Sequence, residues 1–427
     1  MRPFVTFRFG YRVLCVVALC VGQLTACDVP VLRPNETGIG DASADASALG
    51  SPAGIVVAAT DEVQSANIGI MDRDGSVLSQ SVLSTASVPA GFSTALGGDL
   101  AFPSTPNLTA EITILDRYPS SVITWLDVST ARVRAQLSVA TGFAANVHDY
   151  AQVSDTKAFV TRFDSNPNPG RQPFDAGGDL LVIDPSAAQI TASIDIGSAL
   201  PPQNGYSPHP DRARIINDKL YVVVPYYDKN HYSDVSYLAK FDAKTEQLED
   251  HLLLNGLSGC SGLDVSPDSG SVAIACSGRW QGTSEAQPES SAIIGVTLAP
   301  LLRELWRVSA LSTDARPFAF AVSFADSKHV LTSRLGNLGP PIVEDSIELI
   351  DITSGSVTTV LESVGQPVTL GVGPCTIAHA QCFVSDAGRN QVVRFDFDNG
   401  GGYAKAAFVW NDPVGLPPRV IGFFGFD

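Results

Sequence analysis

Short apolar runs and polar turns alternate along almost the whole chain, and the runs come in pairs. The clearest pairs are VITWLDVSTARVRAQLSV, LLVIDPSAAQITASIDIG, SYLAKFDAKTEQLEDHLLL and IELIDITSGSVTTVLE, with weaker copies in IGIMDRDGSVLSQSVL and VVRFDFDNGGGYAKAAF. Each pair places an Asp at or beside its turn: Asp72, Asp127, Asp184, Asp242, Asp351 and Asp396. Thr297 fills the one missing position, in SAIIGVTLAPLLRELWRV. Successive markers are 45 to 58 residues apart. A strand-built period of about fifty residues predicts the blades of a propeller. The repeated Asp residues are expected to cap their own turns rather than share a ligand, because such side chains accept hydrogen bonds from nearby backbone N–H groups.

A second hairpin precedes each of these pairs. SGLDVSPDSGSVAIACS, FAFAVSFADSKHVLTSR, YAQVSDTKAFVTRFD and ARIINDKLYVVVPYY each split two runs of strand length with a Pro, Asp, Gly or Asn turn. Two hairpins per period make four antiparallel strands per blade. The first period lacks its opening strand, since GIVVAAT and IGIMD appear with nothing before them. The last carries an excess, RVIGFFGFD (Arg419 to Asp427), which fits as the innermost strand of blade 1 and closes the ring. The fold class expected is therefore all-β, a seven-bladed β-propeller over residues 53–427. At the level of motif, VSPDSGSVAIACS and LLVIDPSAAQITASIDIG resemble the two halves of the YVTN-type repeat of bacterial surface and periplasmic propellers. That resemblance implies the fold and says little about function.

The N-terminus reads as a targeting segment over residues 1–26, with Arg2, Arg8 and Arg12 ahead of the apolar run VLCVVALCVG. LTAC, ending at Cys27, resembles the lipobox of bacterial lipoproteins. The resemblance implies cleavage before Cys27 and a diacylglycerol on its sulfur, palmitate among the acyl chains, so that the membrane is reached through a lipid anchor. Residues 27–52 are rich in Ala, Ser, Asp, Gly and Pro without periodicity, as a flexible tether is. Asp28 resembles an inner-membrane retention signal of some enteric bacteria and leaves the destination leaflet open. The localisation expected is a bacterial cell envelope, facing periplasm or exterior.

Charge and cysteine content narrow the partners. The formal net charge is −17, and the targeting segment holds three Arg and no acid, so the remainder is more acidic still. Nucleic acid is thereby excluded as a natural partner. Beyond the targeting segment and Cys27, four cysteines remain: Cys260, Cys276, Cys375 and Cys382. An even number outside the cytoplasm predicts two disulfides. Of three possible connectivities, the hairpins favour Cys260 with Cys276 and Cys375 with Cys382.

Loop length singles out one face. In a propeller, the loops from second to third strand and from outer strand to the next blade emerge together around the channel mouth. Here they are the long ones, including 162–179, 225–234, 278–290 and 333–346 of the first kind and 140–150 and 201–214 of the second. Loops held on a rigid scaffold commonly carry function. Three of six histidines fall there, His148, His209 and His231, with Asp149, Asp211 and Asp228 beside them. The same loops carry Tyr206, Tyr226, Tyr227, Tyr232, Phe174 and Trp280, with Arg162, Arg171, Arg212, Arg279 and Arg334. Aromatic and guanidinium groups supply large contact area at low entropy cost. The binding set expected from this face is His148, Asp149, Arg162, Tyr206, His209, Arg212, Tyr226, Tyr227, His231, Arg279, Trp280 and Arg334. His251, His329 and His379 are assigned no role.

No nucleophile elbow, zinc-protease helix, phosphate loop or placed cysteine nucleophile occurs. No catalytic residue, metal ligand or cofactor is therefore assigned. The expected function is a binding or scaffold module for an envelope protein or polymer. The alternative is a propeller enzyme resembling the lactonase or streptogramin-lyase type, with a divalent metal or a His base at the channel mouth. The two part on whether His148, His209 and His231 converge with carboxylates at that mouth. Oligomeric state is not legible.

Overall fold

A computed structural model of the chain describes residues 54–89, 91–105, 111–280, 286–337, 341–364, 370–376, 380–398 and 401–425. The targeting segment, Cys27, the tether, His379 and the side chain of Trp280 lie outside the described residues. What is described folds into seven antiparallel sheets arranged as a β-propeller, each sheet a four-stranded blade, with almost no helix. Blade 3 is built of Val147–Ser154, Lys157–Ser165, Gly177–Asp184 and Gln189–Ile194 in that order from the channel outward. Blade 4 follows with Lys219–Asp228, Ser233–Asp242 and Leu248–Leu253, and its inner strand is broken into Tyr206–Pro208 and Ala213–Ile216. Blades 2, 5, 6 and 7 run over 100–138, 260–309, 318–362 and 370–409.

The core is distributed between blades rather than concentrated in one centre. Each apolar cluster joins two neighbours, as where Phe159, Leu180 and Val182 of blade 3 pack on Val222, Tyr226 and Phe241 of blade 4. Both faces of a blade are thus covered. That is why middle strands such as Gly54–Thr60 and Ala66–Met71 are apolar and buried along their whole length. Outer strands have one free face and alternate, as Gln189–Ile194 does.

Blade 1 combines both ends of the described chain. Pro418–Phe424 lies antiparallel to Gly54–Thr60, pairing Gly54 with Phe424, Val57 with Ile421 and Ala59 with Pro418. The excess C-terminal strand closes the ring. Phe424 is buried with Val56, Leu100 and Phe102. Position 422 admits only glycine, since a Cβ there would come within 2.6 Å of the Phe102 side chain.

The marker aspartates cap their turns. Asp184 accepts from the N–H of Ser186 and Ala187, Asp242 from Lys244 and Thr245, Asp351 from Thr353, and Asp72 from Ser76. In blade 7 the capping residue is Asp398, which accepts from Gly402 N–H, and not Asp396. The strand runs on to Phe397, one residue past the marker, and Asp396 instead receives Gln381 and Arg394 side chains. Both disulfides form as the hairpins require, Cys260 with Cys276 and Cys375 with Cys382. In each, the two cysteines are cross-strand partners.

Candidate binding site at the channel mouth

Two irregularities in neighbouring inner strands build the site. In blade 3, Val147 pairs with Arg162 and Asp149 with Thr161, so His148 is the extra residue of a β-bulge. A bulge re-aims a side chain that a regular strand would point elsewhere. Blade 5 has a similar bulge between Cys260 and Gly262, where Ser261 stands. In blade 4 the inner strand is interrupted across His209, Pro210, Asp211 and Arg212, because Pro210 has no N–H for the ladder. His209 N–H still donates to Pro225 O at 2.9 Å and Asp211 N–H to Val223 O at 2.9 Å, so the interruption is a fixed detour.

These detours bring the side chains of two blades together. His148 stacks on Phe163, with ring centroids 4.2 Å apart and planes 13° from parallel. The His209 ring lies 4.7 Å from the same Phe163 and 5.1 Å from Tyr227, edge-on to the latter. His148 Nδ1 is 3.1 Å from Asp211 Oδ2, and Arg212 Nη1 donates to His148 O at 3.1 Å. His209 Nε2 is 3.1 Å from Ser207 Oγ. His231 projects from the exposed turn after Lys219–Asp228, where Asp228 accepts from the N–H groups of Asn230 and Tyr232. It is near enough to influence the protonation of both His209 and Asp164.

Burial sets the protonation of this cluster. Desolvation pushes the His209 pKa down to about 3, with His231 and His148 adding charge repulsion, so the ring is neutral at physiological pH. Asp164 is raised by burial, against the pull of His148 and His231. The Tyr227 hydroxyl is raised by burial as well, and stays protonated. Partial burial would raise Asp228, but the N–H groups of Tyr232 and Asn230 hold it below its ordinary value.

The arrangement offers aromatic faces beside polar atoms, among them the neutral His209 ring and the Tyr227 hydroxyl. It also holds an imidazole whose Nδ1 faces a carboxylate, the orientation a proton acceptor needs. Among the described residues, no three His, Cys, Asp or Glu are placed to hold a metal ion.

The other residues expected on this face are distributed differently. Arg162 is a strand residue, wholly buried, and binds Asp179 through two contacts of 2.7 and 2.6 Å. Its remaining donors go to Val139 O, Thr141 Oγ1 and Phe174 O. Arg334 is also a buried strand residue, held by Asp314 and lying over the Phe318 ring at 4.0 Å. Neither guanidinium faces solvent, so the placement of both in ligand-facing loops is corrected. Tyr226 points into the interface between blades 3 and 4, opposite its neighbour Tyr227, and packs on Tyr237. Asp149 is fully buried and ties three blades together, accepting from Ser104 N–H and hydroxyl, Tyr150 N–H and Ala213 N–H. Tyr206 is half-buried on the edge piece of blade 4, paired with Asp228. Arg279 forms an ion pair with Asp234.

Phe163 and Asp164 belong to the site and were not singled out in the sequence. They end an apolar strand whose register decides which side chains face the mouth, and only pairing reveals register. Below the mouth, Arg214 reaches from blade 4 to Thr105 of blade 2 at 2.7 Å and to Asp264 of blade 5 at 2.8 Å, bracing the interior.

No protein-family model matches the chain, and no characterised protein matches it in sequence. The fold is shared by solved structures. A periplasmic gluconolactonase of Pseudomonas aeruginosa superposes with a TM-score of 0.54 at 13% identity, over 88% of this chain and 99% of that one. A Bacteroides uniformis protein provisionally named a 6-phosphogluconolactonase gives 0.55 at 13% identity, over 88% and 100%. A Lactobacillus plantarum protein gives 0.54 at 13% identity, over 87% and 99%. At that identity the likeness is one of fold.

Proposed function

We propose that the protein is a lipid-anchored, extracytoplasmic propeller that captures an envelope polymer at the channel mouth between blades 3 and 4. The observation that carries this reading is the packed group His148, Phe163, His209 and Tyr227, contributed by two adjacent blades. Aromatic rings beside the neutral His209 imidazole and the Tyr227 hydroxyl suit a polar ligand. Two disulfides favour an oxidising compartment, in keeping with the lipobox resemblance at Cys27. The test is capture of envelope polysaccharide and protein fractions on immobilised protein. Retention that falls at least tenfold in Phe163→Ala and Tyr227→Ala supports the reading; equal retention by wild type and both variants refutes it.

A second reading is favoured by one contact, that of His148 Nδ1 with Asp211. An imidazole held by a carboxylate is a general base in waiting, and the fold neighbours include proteins named as lactonases. Hydrolysis of gluconolactone that disappears in His148→Gln would put this reading first. Metal analysis of the purified protein bears on the same question, since a stoichiometric divalent ion lost in His148→Gln points to a metal-assisted site.

A further inference from the structure

A second feature stands on the same face of blade 3. The loop 166–176 and the connection from blade 2 enclose a cleft lined by Phe143, Asn166, Pro167, Asn168, Arg171 and Gln172. Its polar side chains divide into two kinds. Asp175 and Asn166 are consumed by the loop: Asp175 accepts from Gly170, Arg171 and Gln172 N–H, and Asn166 spans Asp175 O and Asn168 N–H. The side chains of Asn168, Arg171 and Gln172 make no hydrogen bond or ion pair among the described residues. Beside these three free polar groups lie the Phe143 ring and Pro167.

The walls of the cleft are fixed from behind. The buried Arg162 guanidinium lies 5.2 Å from the Phe143 ring centroid and donates to Phe174 O and Thr141 Oγ1. One residue thus braces both loops and leaves the outer side of the cleft free. A preformed cleft spares a ligand the entropy of ordering its own site.

Cleft and mouth are joined by one backbone ladder. Phe163 N–H donates to Asn146 O at 3.0 Å and Asp164 N–H to Ala145 O at 3.1 Å. Phe163, at the mouth, and Asn166, in the cleft, are three residues apart on this extended stretch, about 10 Å at roughly 3.3 Å per residue.

We infer that mouth and cleft are two subsites for one neutral oligosaccharide, a sugar ring lying against Phe163 and a later unit of the same chain against Phe143. This rests on the mouth being a binding site. Sugar rings with their C–H faces on aromatic side chains match Phe163 at the mouth and Phe143 in the cleft, and sugar hydroxyls match the amides and guanidinium of the cleft. The net charge of −17 weighs against a polyanionic chain. A peptide added as a strand needs an open sheet edge, and the cleft is made of loops.

The experiment uses the full chain in detergent, titrated with neutral and uronic-acid oligosaccharides of graded length from mono- to pentasaccharide. Affinity for a neutral series is expected to rise at least tenfold from monosaccharide to tetrasaccharide. Arg171→Gln and Asn168→Ala, both on the surface loop, are expected to abolish that gain and leave monosaccharide binding unchanged. Phe163→Ala is expected to weaken every length. Length-independent binding, or a tetrasaccharide gain that survives both cleft variants, overturns the two-subsite inference and leaves the mouth site standing. Preference for the uronic series overturns the neutral ligand. Binding of no saccharide, while an envelope protein is still retained through Phe163, overturns the inference alone, and loss of that retention too overturns the mouth site.

Discussion

Ring closure by the C-terminal strand can be weighed at a single residue. Phe424 is 1% exposed and fills the space between Val56, Leu100 and Phe102, so Phe424→Ala leaves a cavity at the junction of blades 1 and 2. A buried Phe→Ala change costs about 3–5 kcal/mol, part lost transfer and part cavity. A cooperative unit of this size has an unfolding entropy near 0.8 kcal/mol/K, taking about 2.1 cal/mol/K per residue, so the melting temperature should drop by about 4–6 °C. The control is Val409→Ala on the outer strand of blade 7, where the side chain is 63% exposed and the change should stay within about 1 °C. Differential scanning calorimetry on wild type and both variants decides it. A fall for Phe424→Ala no larger than for the control would mean that the strand Pro418–Phe424 does not bear the closure. Removing Arg419 to Asp427 should be harsher, because it also exposes the hydrogen-bonding edge of Gly54–Thr60.

Three further outcomes follow from the same structure. Arg162→Met should destabilise by about 3–5 kcal/mol in denaturant titration, since it strands Asp179 without its partner, and Asp179→Leu added to it should recover much of that loss. Between pH 6.5 and about 3 the unfolded His209 binds a proton that the folded one refuses, so stability falls as pH falls through that window. His209→Gln should therefore gain on wild type steadily as melting is measured from pH 7 toward pH 4, and a pH-independent difference would refute the buried neutral ring. Cys260→Ala with Cys276→Ala should lower stability by about 3 kcal/mol, the value for a closed loop of about 15 residues, read as a shift in denaturant midpoint.

Periodicity carried the architecture because strand spacing and turn chemistry are local. The seven blades, the extra C-terminal strand and both cystine hairpins follow from patterns within a few dozen residues, and each reappears in the folded chain. Blade 7 shows the limit of reading turns from a single residue type. Its strand continues past Asp396, and the glycine-rich turn that follows takes Asp398 as its cap.

The site was legible only as a face. The histidines at 148, 209 and 231 were assigned to one end of the propeller by loop length alone, and the structure brings His148 and His209 against one phenylalanine. Which neighbours join them depended on a bulge at His148 and a break at Pro210, features of register between strands. Arg162 and Arg334 show the same dependence from the other side. Each reads as a loop cation and is a buried strand residue, because one residue of register turns a side chain from solvent to core. Repeat length and turn chemistry are properties of the chain itself; which side chains face the channel mouth is a property of pairing, and only the closed ring decides it.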